Sequence, residues 1–247
     1  YSMGIEFYGE MKMRSLMSRS PLHRVRYAPL RRLQREGIAR AHNCFNAELS
    51  HTAASFDELG VSFHRIALPC VYNGQDTPPR GTPPRLVEAR RRMEQADLAL
   101  FCCSRMLWVR DPSLTNDRCA SSPKSSDWII RGLAQHRGRH PDRKVLLAVV
   151  EYGPDVEATK ALAAELGVAD QIMWLPQMAR REIMLLLSWA DAGVGEFYTN
   201  EGMIWGGTGW EVLASGKPLL QSFNFTRDGY SATFGHAPPP LLDVKSA

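Results

Sequence analysis

The sequence predicts an α/β fold: a parallel sheet with helices on both faces. Two observations carry that prediction. From about residue 97 onward, short apolar runs alternate with amphipathic segments in the order β-α-β-α-β-α-β-α-β. The apolar runs are also continuous rather than alternating, which fits strands buried on both faces.

Taken in order, residues 97–103 (DLALFCC) read as the first strand. Residues 124–136 (KSSDWIIRGLAQH) read as a helix, with Trp128, Ile129, Leu133 and Ala134 near helical spacing. Residues 144–152 form a buried-type strand, and 156–166 a helix closed by Gly167. Residues 171–175 form the third strand, left through Pro176, Gln177 and Met178. Residues 180–189 form a helix facing inward with Ile183, Leu186 and Leu187, and 192–197 a strand. Gly206, Gly207 and Gly209 then surround Thr208 in a turn that opens a short helix at 210–214. Gly216 stops that helix, Lys217-Pro218 turns the chain, and 218–223 is the fifth strand.

The segment before residue 97 differs. Residues 35–43 and 48–59 look helical, with a short strand near Cys44, and 63–68 is another strand. GQDTPPRGTPPR at 74–85 is rich in proline and glycine. The expected division is a partial first domain at 1–72, a linker or exposed loop at 73–96, and a second domain at 97–247. Residues 1–34 carry too little pattern to assign, and no repeat is visible. The chain starts at Tyr1 without an initiator methionine and stops at Ala247 without an evident domain end, so we expect a piece of a longer protein, truncated at the C-terminal side.

Composition excludes several classes. With 247 residues, 44% hydrophobic and 23% charged, this is an ordinary globular chain. The net charge of +4 is concentrated in arginines at positions 19–40 and 90–92. Without aromatic interleaving these are expected to be solvated helix faces, so we expect no nucleic-acid partner. No apolar run approaches the roughly 20 residues needed to span a bilayer. Five cysteines without zinc spacing suggest buried thiols in a reducing, cytoplasmic compartment and no metal site.

Parallel sheets bind ligands beyond the carboxyl ends of their strands. That rule selects one rim: Arg105 after the first strand, residues 151–153 after the second, Gln177 and Met178 after the third, and residues 196–209 after the fourth. A glycine-rich turn opening a helix offers backbone N–H groups and the positive end of the helix dipole to a phosphate. Glu211, one turn further on, could accept hydrogen bonds from ribose hydroxyls. Phosphate and ribose together outline a nucleotide-sugar site.

At these residues the chain resembles the donor-binding domain of GT-B glycosyltransferases of the retaining GT4 type. The resemblance runs from Tyr152-Gly153-Pro154 through LGV and LPQ to WEVLASGKP, where Glu211, Ala214, Gly216 and Pro218 hold the family pattern. It spans roughly residues 97–225, with a weaker likeness over 36–72 to the end of the acceptor-side domain. It implies a Rossmann-like domain, a nucleotide-diphosphate sugar donor as the bound substrate, no further cofactor and no obligatory metal. Arg105 and Lys124 then fall where the family holds the diphosphate, although Ser125 stands where the family has glycine. Gly153 lies in the G-P turn, Gly206, Gly207 and Thr208 form the phosphate-facing turn, Glu211 binds ribose, and Gln177 and Met178 lie by the base.

The family also places a second glutamate before this one, with seven residues between the two, and here that spacing lands on Met203. Either the loop is two residues longer and Glu201 takes the role, which is the reading adopted, or the role is absent; Glu196 lies further back. The resemblance implies transfer of a hexose-like sugar, with retention, to an acceptor sugar, lipid or small molecule. It leaves room for peripheral membrane contact through the first domain and for inactivity of the piece on its own. Two alternatives remain: an epimerase of the same fold, for which no acid-base pair is evident, and a non-catalytic nucleotide-sugar-binding module, which a missing glutamate would suit.

Overall fold

The computed structural model describes residues 20–46, 56–57, 59–65, 81–109, 124–197, 205–223, 225–239 and 241–245. By its internal contacts the chain divides into two compact units, Tyr1–Cys70 and Val71–Ala247.

In the first unit, helix α1 (Pro21–Ala39) starts at Ser20, whose hydroxyl accepts from His23 N at 3.2 Å, with Pro21 opening the helix. The expected helix over 35–43 is therefore the end of a longer one, and it stops at Arg40. The start was not visible because Ile38 is the only buried residue of α1, so no apolar stripe marks it. Strands β1 (Phe45–Asn46) and β2 (His64–Arg65) pair in parallel. Ile38, Cys44 and Phe56 form a small core, and Phe56 stacks on Phe63 with centroids 4.8 Å apart. Most of the expected helix at 48–59 lies outside the described residues, as does the second half of the strand expected at 63–68.

The second unit holds six parallel strands: β3 (Leu98–Cys102), β4 (Val145–Val150), β5 (Ile172–Leu175), β6 (Ala192–Val194), β7 (Leu219–Gln221) and β8 (Leu241–Asp243). Their order across the sheet is β5-β4-β3-β6-β7-β8. Chain order thus runs outward from β3 in one direction and from β6 in the other. The reversal falls between β3 and β6, where a parallel sheet opens a crevice at its carboxyl ends.

Helices α2 (Val87–Glu94), α3 (Asp127–Arg139), α4 (Val156–Glu165), α5 (Arg180–Trp189), α6 (Gly206–Ala214) and α7 (Arg227–Phe234) connect the strands. The period of two along β4 sorts them. Leu146, Ala148 and Val150 join a core with Ala89 and Met93 of α2, Met184 and Leu187 of α5, and Val212 of α6. Val145, Leu147 and Val149 join the opposite core with Ile129, Ile130 and Leu133 of α3 and Leu162 of α4. All six β4 residues are buried, as the VLLAVV run requires of a central parallel strand. Burying each of its valine and leucine side chains contributes roughly 1.5–3 kcal/mol.

Three expectations change here. Residues 81–96 do more than link: a short 3-10 turn (Pro84–Leu86) and α2 occupy them, and Leu86, Ala89 and Met93 are buried. Helix α3 begins at Asp127 rather than Lys124, because Ser125 adopts φ 44, outside the helical region. The sheet continues past residue 223, through α7 to β8. Phe223 N donates to Asp243 Oδ1 at 2.9 Å, and Ser222 Oγ donates to Val244 O at 2.8 Å, so β8 is tied back to the end of β7.

Candidate functional site

The loop after β3 comes first. Met106 N donates to Tyr152 O at 2.7 Å, and Leu107 N to Ser126 Oγ at 3.1 Å. Asp155 is 2% exposed, and its Oδ2 accepts from Trp108 N and Val109 N at 2.8 and 2.9 Å. Trp108 Nε1 donates to Thr159 Oγ1 at 2.9 Å. A buried carboxylate and the start of α4 thus fix the backbone that carries Arg105.

Gly153 explains the close approach. Its φ is +116, and a side-chain carbon there would lie 2.4 Å from Met106 O and 2.8 Å from Arg105 Cγ. Only glycine lets the β3 and β4 loops touch in this way. Two sequence-predicted residues, Arg105 and Gly153, are therefore in contact.

Lys124 sits in the segment leading into α3. Its N–H donates to Leu107 O at 2.8 Å, and its carbonyl accepts from Phe197 N at 3.2 Å. Backbone bonds thereby tie the β3 loop, Lys124 and the β6 loop together across the point of strand reversal. The Lys124 side chain, 18% exposed, forms an ion pair with Glu196, which is 3% exposed. Glu196 is more enclosed than a solvated loop acid would be. Its backbone N–H meets Gln221 Oε1 at 3.4 Å, and Ser222 N donates to its carbonyl at 3.3 Å. Glu201 lies outside the described residues; among those described, Glu196 is the glutamate paired with Lys124.

Helix α6 takes in Gly207 and Gly209 and begins at Gly206, the residue at which the chain turns into it. Gly206 has φ +59, and a side-chain carbon there would lie 2.9 Å from Glu196 Oε2. The helix start and the Lys124–Glu196 pair are therefore adjacent. The first N–H groups of an α-helix have no intrahelical acceptor, and the dipole adds about half a positive charge at this end. Gly209 lets α6 settle onto β7, because a side-chain carbon there would lie 2.9 Å from Gln221 Oε1.

Glu211 is 5% exposed. Arg180, the first residue of α5, places Nε 2.6 Å from Glu211 Oε1, and Cys103 Sγ donates to Oε2 at 3.7 Å. Gln177 is exposed, and Met178 packs against the core that holds α2 and α5. From the segment that follows β5, it is Arg180 that reaches Glu211. Trp205 is 3% exposed and stacks on Phe223 with centroids 5.5 Å apart, so it belongs to the core.

Sequence reasoning did not name Asp155, Arg180, Gln221 or Cys103 as site residues. A polar Gln221 inside an apolar strand and an Asp155 just after Gly-Pro at a helix start were usable signals. The Arg180–Glu211 pair spans separate elements and left no spacing signal.

The two adjacent thiols resist ionisation. Burial pushes Cys102 up to about 11, against a smaller opposing pull from a Ser104 backbone hydrogen bond and the Lys124 charge. Burial also raises Cys103 well above the usual thiol range, and the Glu211 charge adds to it. A raised folded-state value gives a contribution to stability that is intact below the ordinary thiol value of 9.0 and is lost as pH rises towards about 11. We expect denaturant titrations from pH 8 to 11 to show wild type losing about 2–3 kcal/mol more than Cys102→Ala. Parallel curves for the two proteins would contradict this.

No protein-family model and no curated protein matches the chain. Solved structures do. WaaG, a glycosyltransferase involved in lipopolysaccharide biosynthesis, matches with TM-score 0.51 and 18% identity, covering 81% of this chain and 50% of that one. Anabaena Alr3699/HepE in complex with UDP matches with TM-score 0.51 and 16% identity, covering 77% and 48% respectively. The E. coli trehalose-6-phosphate protein bound with UDP-2-fluoro glucose gives 0.51 and 11%, covering 86% and 52%. This chain thus spans about half the length of these structures. At such identities the likeness is one of fold: a parallel-sheet α/β fold shared with GT-B glycosyltransferases. Among the described residues, no helix is long and apolar enough to cross a membrane.

Proposed function

We propose that this chain is the donor-binding part of a glycosyltransferase that takes a sugar from a nucleotide-diphosphate donor. One observation carries the reading. At the point of strand reversal, Lys124, Glu196 and the start of α6 come together from three separate stretches of sequence, and Gly206 stands against the Glu196 carboxylate. That sets an enclosed ammonium and a helix start, both donors of the kind an anionic leaving group needs, around one carboxylate.

Breaking the bond between an anomeric carbon and phosphate builds negative charge on the diphosphate. Preorganised donors stabilise that charge most where it develops, and each can contribute a few kcal/mol. Lys124 and the first amides of α6 supply them here, with Arg105 on the neighbouring loop. Lys124 has three N–H donors, so it can hold Glu196 and a phosphate oxygen together. Glu196 then faces the sugar side of the diphosphate; Glu201 is the other candidate for that role. Glu211 takes the ribose, and Gln177 and Met178 flank the base. Retention, a metal-free reaction, a cytoplasmic location and an acceptor that is a sugar, lipid or small molecule follow from the family resemblance and belong to this proposal. HepE, the structural neighbour noted above, is seen with UDP, which makes UDP the first probe.

Calorimetric titration of the purified chain tests the reading. UDP, GDP or ADP is expected to bind at least about tenfold more tightly than the matching nucleoside, since a hydrogen bond to a charged group contributes roughly 1.5–3 kcal/mol. The chain alone is expected to bind without transferring sugar. Equal affinity for nucleoside and nucleoside diphosphate would contradict the diphosphate site.

A further inference from the structure

Glu211 is the carboxylate that the reading above gives to ribose, and side chains from two other parts of the fold converge on it. Arg180 Nε reaches Oε1 at 2.6 Å from the first turn of α5, and Cys103 Sγ reaches Oε2 at 3.7 Å from the end of β3. Side-chain exposure is 7% for Glu211 and 48% for Arg180. The carboxylate is therefore largely enclosed, while the guanidinium that holds it stays half exposed.

The last torsion of a glutamate is broad, so an unclamped carboxylate samples many orientations. Two donors from different elements, one on each oxygen, fix its plane. An ionised carboxylate has about four lone-pair positions, so this clamp leaves places for a vicinal diol. Arginine suits the task because its planar fork holds a fixed geometry, which a flexible ammonium does not. Orienting the acceptor before the ligand arrives removes an ordering cost from binding.

We propose that Arg180 is a positioning residue for the ribose-binding carboxylate. Through its contact with Glu211 Oε1 it sets the preference of the nucleotide site for ribose hydroxyls. The inference rests on the nucleotide-sugar reading and deepens it. It also gives the segment after β5 a role beside the base contacts proposed for Gln177 and Met178, and Arg180 exercises it.

The test compares wild type, Arg180→Met and Cys103→Ala by calorimetry, with circular dichroism confirming each fold. The probes are UDP, GDP and ADP, and the 2′,3′-dideoxy counterpart of whichever binds. Wild type is expected to prefer the ribonucleotide by about tenfold or more, from hydrogen bonds to a charged acceptor. In Arg180→Met that ratio is expected to fall to within about threefold of unity, while dideoxynucleotide affinity changes less than about twofold. A purely structural role would move both affinities together and leave the ratio alone. An unchanged ratio in Arg180→Met, or an equal loss for both nucleotides, overturns the proposal while the donor site stands. Should Arg180→Met not fold, Cys103→Ala decides, since it removes the other donor to the same carboxylate. A smaller drop in the ratio supports the clamp and an unchanged ratio overturns it. Wild type that binds no nucleotide overturns the functional reading as well.

Discussion

Replacing Lys124 with methionine is expected to weaken nucleoside-diphosphate binding by about 10- to 100-fold and to leave nucleoside binding unchanged. The single change also has a structural cost. It strands Glu196, 3% exposed, without its cation, and breaking a buried ion pair on one side typically destabilises by about 3–5 kcal/mol. The double variant Lys124→Met, Glu196→Gln separates the two effects. It removes the stranded charge, so most of the lost stability should return, yet the diphosphate affinity should not. Thermal denaturation and calorimetry on both variants provide the check. Recovery of diphosphate affinity in the double variant would mean that Lys124 acted only through the fold.

Gly153→Ala is expected to lower the melting temperature by about 5–15 °C, against roughly 2–4 °C for Gly167→Ala. Both glycines have positive φ, +116 and +69, so both substitutions carry backbone strain. Their surroundings differ. A side-chain carbon at Gly167 meets nothing within 4 Å, whereas at Gly153 it meets Met106 O at 2.4 Å and Met106 N at 2.7 Å. Backbone atoms cannot rotate away as a side chain can. The β3 loop must shift instead, and Arg105 shifts with it. Gly153→Ala should therefore also weaken diphosphate binding, while Gly167→Ala should not. Equal losses of stability in the two variants would show that the loops are not packed as described.

Much of this architecture was legible in the sequence, for identifiable reasons. The VLLAVV run of β4 had to be a doubly covered strand because none of its residues offers a polar face. The α5 boundaries, Arg180–Trp189, were also readable, because its inward apolar residues recur at helical spacing. What was missed had weak local signals. Helix α2 carries three consecutive arginines and hides its inward face in Ala89 and Met93. The glycines of α6 suggested a turn; Gly206, at φ +59, makes it, whereas Gly207 and Gly209 lie inside the helix, and two of the three admit close neighbours: Glu196 at Gly206 and Gln221 at Gly209. Arg105 and Gly153 could be named because topology assigns them to one rim, Glu211 because it lies one turn into the helix that the glycines open, and Lys124 through the family resemblance. The partners that hold them, Asp155, Gln221 and Arg180, act across the tertiary fold, where sequence spacing carries no information.

The account stands on the diphosphate lying where α6 begins. A crystal structure of the chain with bound UDP measures this directly. It should show phosphate oxygens within hydrogen-bonding distance of the Gly206–Thr208 amides and of Lys124 Nζ, with the ribose hydroxyls on Glu211. A nucleotide bound elsewhere on the sheet, with those amides turned to acceptors inside the protein, would contradict it.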